Sequence, residues 1–170
     1  MPLVPRRLLA EPRKVLKSGT VKAFRTSSIL ATALVLLLLA SSASAKPGWL
    51  TNLKQAEAET KANNKLLLVN FTGSDWCSYC IALDKEVFSK PSFKEYARKN
   101  FVLLDVDFPR GKRLTTTQKQ QNENLADEHG VRSFPTIIVF DGSGKKLGQL
   151  GYMPGGPDAF IAALEKFRSR

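Results

Sequence analysis

The chain has 170 residues, 43% of them hydrophobic and 24% charged, which is the composition of a globular protein of about one domain. That apolar content excludes an intrinsically disordered chain, and neither a collagen-like period nor a low-complexity tract is present. A formal net charge of +11 raises nucleic acid or a membrane surface as a partner, but more than half of it lies in residues 1–45, where Arg6, Arg7, Arg13, Lys14, Lys17, Lys22 and Arg25 face Glu11 alone.

The basic segment runs into Ile29–Ala40, an uncharged stretch of 12 residues, and then into Ser41-Ser42-Ala43-Ser44-Ala45. A basic region, a short apolar stretch and an Ala-x-Ala end predict a cleavable secretory signal over residues 1–45, with cleavage after Ala45 and Lys46 first in the exported chain. A membrane anchor is the alternative, but spanning needs about 20 apolar residues. Contact with a membrane is therefore expected only through this segment, if it is retained. No Cys follows the small residues, so no lipid attachment is expected. A start at Val21 would give a signal of more ordinary proportions. The predicted location is periplasmic or extracellular.

Residues 46–170 read as a single domain large enough to bury its own core. Leu50, Leu53 and Ala56 recur at helical spacing and predict an amphipathic helix within Trp49–Asn64. Lys65–Phe71 holds a continuous apolar run that suits a strand covered on both faces, and Thr72–Asp75 is a turn. A helix from Cys80 turns Leu83, Val87 and Phe88 inward, breaks at Pro91 and restarts through a Ser92-x-x-Glu95 capping box with Phe93, Tyr96 and Ala97. Phe101–Phe108 is a second strand and Pro109–Arg113 a basic loop. Thr115-x-x-Gln118 caps a polar helix that reaches about His129 and stops at Gly130. Thr136–Phe140, the turn Asp141–Gly144 and the returning strand Lys146–Tyr152 form a hairpin. Pro157 opens a last helix with Phe160, Ile161, Leu164 and Phe167 on one face. Parallel strands joined by crossover helices, closed by an antiparallel hairpin, predict an α/β fold: a mixed central sheet with helices on both faces.

Both cysteines of the chain sit in Trp76-Cys77-Ser78-Tyr79-Cys80, after a buried strand and at the start of a helix. A thiolate there faces unpaired backbone N–H groups and the positive end of the helix dipole, which can lower a thiol pKa from about 8.5 to about 3.5–7.5. Cys77, at the entrance, is then the candidate nucleophile. Cys80, one turn inward, is the candidate resolving thiol, able to attack a mixed disulfide on Cys77 and release the partner. An inert local disulfide is the first alternative, although so short a loop removes little unfolded-state entropy. A metal site is the second, although zinc takes three or four protein ligands and only His129 is left to join the cysteines.

Strand, turn, Trp76-Cys77-Ser78-Tyr79-Cys80 and helix, followed by Gly130-Val131-Arg132-Ser133-Phe134-Pro135-Thr136 and a further strand, resemble the active-site and cis-proline segments of the thioredoxin superfamily. The longer Gly73-to-Cys80 string, with Leu83-Asp84-Lys85-Glu86-Val87-Phe88 after it, is similar to exported bacterial thioredoxin-like proteins and to the thioredoxin-like domains of thiol:disulfide interchange proteins. The resemblance covers nearly all of residues 46–170. It implies a thioredoxin-like fold and disulfide exchange with protein thiols and disulfides, served by an upstream redox partner and needing no metal or organic cofactor. It also implies a cis bond before Pro135, with the backbone of Phe134 beside Cys77 to pair with an extended partner segment. From the residues alone, Pro135 could equally sit in a trans turn, Phe134 in the core, and Trp76 either in the wall of the site or in the core.

The match departs at two positions. The buried Asp that the family keeps on the strand before the motif corresponds to Asn70, and its companion Lys corresponds to Leu103. Asn cannot act as a titrating base, so proton transfer at Cys80 must use water or another carboxylate, with Asp75 and Asp84 nearest in sequence. Arg110, Lys112 and Arg113 read as a solvated loop rather than a docking patch, and nucleic acid is not an expected partner, since neither aromatic interleaving nor a recognised module accompanies the charge. His129 suits a helix C-terminus better than catalysis.

Overall fold

The computed structural model describes residues 46–169. The predicted secretory signal, residues 1–45, lies outside the described residues. The apolar run after Lys65 forms β1 (Leu66–Thr72), an inner strand of a four-stranded sheet. β2 (Phe101–Asp107) pairs with it in parallel, and β3 (Thr136–Phe140) and β4 (Lys146–Leu150) follow antiparallel, in the order β2-β1-β3-β4. The mixed sheet expected from the element order is therefore observed.

Alternation along the strands divides the core into two layers. Leu67, Val69 and Phe71 of β1, with Val102, Leu104 and Val106 of β2, meet Ala56 of α1 (Leu53–Asn63) and Leu125 of α4 (Thr116–Glu128). The other face carries Leu68, Phe101, Ile137 and Val139. They pack against Leu83 of α2 (Ser78–Leu83), Val87 and Phe88 of a π-helical turn (Asp84–Phe88), Phe93 of α3 (Pro91–Asn100), and Phe160 and Leu164 of α5 (Gly156–Arg168). Phe88, Phe93 and Phe160 form an aromatic knot, with ring centroids 5.0–6.2 Å apart.

Three local readings change. The first helix begins at Leu53, not near Trp49, because Asn52 caps it by accepting from the Gln55 amide, at 2.9 Å. Leu50 instead bridges the edge of β2: its amide donates to the Leu103 carbonyl and its carbonyl accepts from the Asp105 amide, each at 2.8 Å. The break near Pro91 is real, but Ser92 is not its cap. Lys90 stands at the N-cap with Pro91 in the first turn of α3, where a missing N–H costs nothing. The preceding helix leaves α geometry at the π-helical turn, closed by the Ser89 amide on the Asp84 carbonyl at 2.8 Å. At α4, Thr115 caps as the spacing predicts, accepting from the Gln118 amide at 3.1 Å. Gly130 then ends that helix with φ +63°. Among the described residues no helix is long and apolar enough to cross a membrane.

Phe160 is fully buried between two aromatic neighbours. Phe160→Ala is expected to lower unfolding free energy by about 3–5 kcal/mol, read as a shift of the urea midpoint with unchanged slope.

Candidate active site

The cysteines lie where the chain leaves the carboxyl end of β1. Gly73 to Trp76 turn sharply, the Cys77 amide donating to the Gly73 carbonyl at 2.9 Å. Cys77 is the N-cap of α2, and its Sγ accepts from the Cys80 amide at 3.2 Å. Cys77 and Cys80 form a disulfide across a Cα separation of 5.2 Å. Sγ of Cys77 thus sits against an unpaired N–H of the helix start, the setting that favours thiolate over thiol once the bond is reduced. Cys77 is more enclosed than an entrance position suggests: it is 8% exposed against 5% for Cys80. Folding its sulfur back onto the helix turns that sulfur away from solvent, and the surface is left to Trp76, Tyr79 and Ile81.

The turn is latched by the end of β2. Asp107 accepts from the Ser74 amide at 2.9 Å and the Ser74 hydroxyl at 2.7 Å, and it pairs with Lys112 at 2.9 Å. Trp76 donates from Nε1 to the Phe108 carbonyl at 2.7 Å. The Trp76 indole covers Gly73 so closely that a Cβ there would fall 2.5 Å from the ring. Arg110 stacks on the same indole, its guanidinium carbon 4.0 Å from the ring centroid. Asp75 accepts from the Arg110 amide at 3.0 Å and the Gly111 amide at 2.6 Å, and those backbone bonds hold its carboxyl below the usual range. It clamps the basic loop and is not turned toward Cys80. The loop read from sequence as merely solvated is therefore fastened to the rim of the site.

The cis peptide expected before Pro135 is present. Pro135 is buried and Phe134 part-buried. The Phe134 ring meets Trp76 edge-on at 5.9 Å and Phe108 at 5.1 Å. Trp76, next to Cys77 in the chain, thus comes together with Phe108 and Phe134 from three separate stretches of chain. On the other side Tyr79 packs on Tyr152 at 5.3 Å, and the Tyr152 hydroxyl donates to Glu86 at 2.9 Å.

Below Cys80 lies a cavity of about 420 Å³ lined by Lys46, Asn70, Thr72, Ser74, Asp84, Asp105 and Lys112 among others. Asn70 and Asp105 are register partners on β1 and β2, and the Asn70 amide donates to Asp105 Oδ1 at 2.8 Å. Loss of hydration pushes the Asp105 carboxyl above the ordinary range, against the pull of that hydrogen bond and of Lys46. Lys46 lies over the Trp49 and Phe88 rings and pairs with Asp84, and burial brings its ammonium down to about 8. Lys46, Asp105 and Asp107 escaped the sequence reading. The signal was there in Asp105-Val106-Asp107, two acids on one face of an apolar strand. His129 packs on Phe140, opposite Leu67 at the far end of β1 from the cysteines. Among the described residues no group of three or more His, Cys, Asp and Glu side chains is placed to hold a metal ion.

Residues 53–168 match the model of the thioredoxin-like domain. The chain belongs to this family. A thioredoxin-like relative, the disulfide bond reductase DsbH of Chlamydia pneumoniae, is 32% identical over 111 residues, covering 65% of this chain and 67% of that protein. The thioredoxin-related protein DsbJ of the same organism is 26% identical over 61% of this chain and 30% of its own length. A solved structure of a DsbH oxidoreductase superposes with a TM-score of 0.68 at 28% identity, covering 75% of this chain and 93% of that one. With its Cys77–Cys80 disulfide at the helix start, this thioredoxin-like chain is a thiol:disulfide oxidoreductase.

Asp107→Ala removes the acceptor for both Ser74 donors. It is expected to cost about 1.5–3 kcal/mol, as loss of hydrogen bonds to a charged group does, and to change Trp76 emission, both read in one urea titration followed by fluorescence.

Proposed function

We propose that the protein is exported and reduces disulfides of partner proteins, with Cys77 as attacking thiolate and Cys80 as resolving thiol. The observation that carries this reading is the Cys77 sulfur at the N-cap of α2, accepting from the Cys80 amide. A thiolate at that position is stabilised by the helix N-terminus, so Cys77 is the better nucleophile and the better leaving group of the pair. The thiolate attacks one sulfur of the partner disulfide and displaces the other as a thiolate. Cys80 then attacks Cys77 Sγ, restores the intramolecular disulfide and frees the second partner sulfur. Two electrons pass to the partner, and an upstream redox partner must return two for the next cycle.

The reductive direction is supported by the relative named as a disulfide bond reductase. Partner binding falls to the surface around the disulfide. Trp76 and Phe134 offer apolar contacts, and the backbone at Phe134-Pro135 offers hydrogen bonds to an extended segment. Export is supported by the basic, apolar and Ala-x-Ala order of residues 1–45, which leaves Lys46–Arg170 as the working domain in a periplasmic or extracellular setting.

Cys77→Ser is expected to abolish reduction of insulin disulfides in a coupled turbidity assay. Cys80→Ser is expected to stop at one covalent partner adduct per chain, visible by mass and released by dithiothreitol. An adduct that forms equally well in Cys77→Ser would reverse the two roles. For export, amino-terminal sequencing of protein recovered outside the cytoplasm is expected to begin at Lys46.

A further inference from the structure

The cavity beneath Cys80 holds titratable groups that the exchange between Cys77, Cys80 and a partner disulfide does not itself use. Asn70 and Thr72 of β1 and Asp105 and Asp107 of β2 alternate with apolar residues and point to the same side of the sheet as Leu68, beneath α2. Cys80, Asn70 and Asp105 all line the one cavity. Asp105 is part-buried and holds one hydrogen bond from Asn70, while Asn70 Oδ1, buried beside it, has no partner among the described residues. A polar cavity of this size admits water.

We propose that Asp105 is the proton acceptor for Cys80, acting across this cavity, and that Lys46 sets the pH at which it does so. The inference rests on the reading of Cys80 as the resolving thiol. In the resolving step the Cys80 thiol gives its proton through cavity water to the Asp105 carboxylate. The thiolate attacks Cys77 Sγ, the Cys77–partner bond breaks and the Cys77–Cys80 bond forms. The partner sulfur leaves as a thiolate that takes its proton from solvent. The carboxylate and the ammonium are supplied from β2 and from the segment before α1, at positions other than Asn70 and Leu103.

The other carboxylates are less suited. Asp75 is engaged by the Arg110 and Gly111 amides, and Asp107 by Ser74 and Lys112. Asp84 is half-exposed in its pair with Lys46. The charges that act on Asp105 are Lys46 from the amino-terminal segment, Asp107 on its own strand and Lys112 from the following loop. Asp84 and Lys85 line the same cavity from the π-helical turn, and Lys94 of α3 acts on Lys46. Desolvation raises the Asp105 carboxyl, so it holds a proton more readily than an ordinary aspartate, and Lys46 opposes that rise.

The chain has two cysteines, so Ellman's reagent separates the steps in stopped flow. The reduced protein releases one nitrothiobenzoate when Cys77 attacks and a second when Cys80 resolves. Asp105→Asn is expected to slow the second phase about tenfold or more near neutral pH and to leave the first within about twofold. Its second phase should then follow the ionisation of an unassisted thiol. Exchanging the pair, Asn70→Asp with Asp105→Asn, returns a carboxylate to the cavity and is expected to restore most of the rate. A folded Asp105→Asn protein with an unchanged second phase overturns the proposal. So does one whose two phases slow alike, or one that the exchange does not rescue, since either marks a structural pair. Lys46→Met in an Asp84→Asn background tests the same point without touching the strands. Without the ammonium, Asp105 ionises at higher pH, so the midpoint of the second phase should rise relative to Asp84→Asn alone, and an unmoved midpoint counts against the role. Absence of the first phase in the native protein would instead overturn the reading of Cys77 and this inference with it.

Discussion

The turn that carries the cysteines is held by one carboxylate. Asp107, at the last position of β2, takes the Ser74 amide and hydroxyl and the Lys112 ammonium, and its carbonyl accepts from Asn122 at 2.8 Å. Because β1 and β2 are parallel and adjacent, their carboxyl ends finish side by side, and a loop leaving one can be tied to the other. That tie joins the bond from Trp76 to the Phe108 carbonyl in fixing Gly73–Trp76 at the start of α2. With it, the Cys77 sulfur is delivered to the helix N-terminus, where the unpaired amides favour the charge that disulfide exchange requires.

The same geometry explains the two-sidedness of the site. Above the cysteines, Trp76 is pinned by its bond to the Phe108 carbonyl and walled by Arg110 and Phe134, which leaves an exposed apolar surface beside the disulfide. Below them, the sheet presents polar residues where its remaining length is apolar. An exposed apolar surface on one side and a polar cavity on the other give the two cysteines different surroundings. The aromatic knot of Phe88, Phe93 and Phe160 supports both, since the π-helical turn that bears Phe88 also borders the cavity through Asp84.

Local chemistry made much of this legible. The Thr115 cap comes from a side chain that satisfies a nearby amide, the Gly130 stop from a residue free to take positive φ, and the strand at Thr136–Phe140 from a run of β-branched and aromatic residues, so their signals survive in a linear string. Readings that failed did so where a distant element competed. Leu50 has helical spacing with Leu53, but β2 takes its amide and carbonyl. Ser92 is the exception, with a local cause: it begins a capping pattern, but Pro91 just before it is already inside α3. Arg110 looks like one charge in a solvated run until Asp75 and Trp76 are seen to hold it.

The sequence by itself determined the reaction class: two cysteines at one-turn spacing between a buried strand and a helix, with a Phe-Pro segment before a later strand, carry their chemistry in their order. It also determined the layered fold, because hydrophobic periodicity reports which faces are buried. That a carboxylate of β2 lines the cavity beneath the inner cysteine was decided only by the tertiary structure. Proximity in sequence favoured Asp75 and Asp84, yet the strand register sets Asp105 beside Asn70 in the Cys80 cavity. It also takes folding of the amino-terminal segment across the core aromatics to bring Lys46 there. Register and chain crossing are long-range properties, fixed by packing rather than by any neighbouring residue.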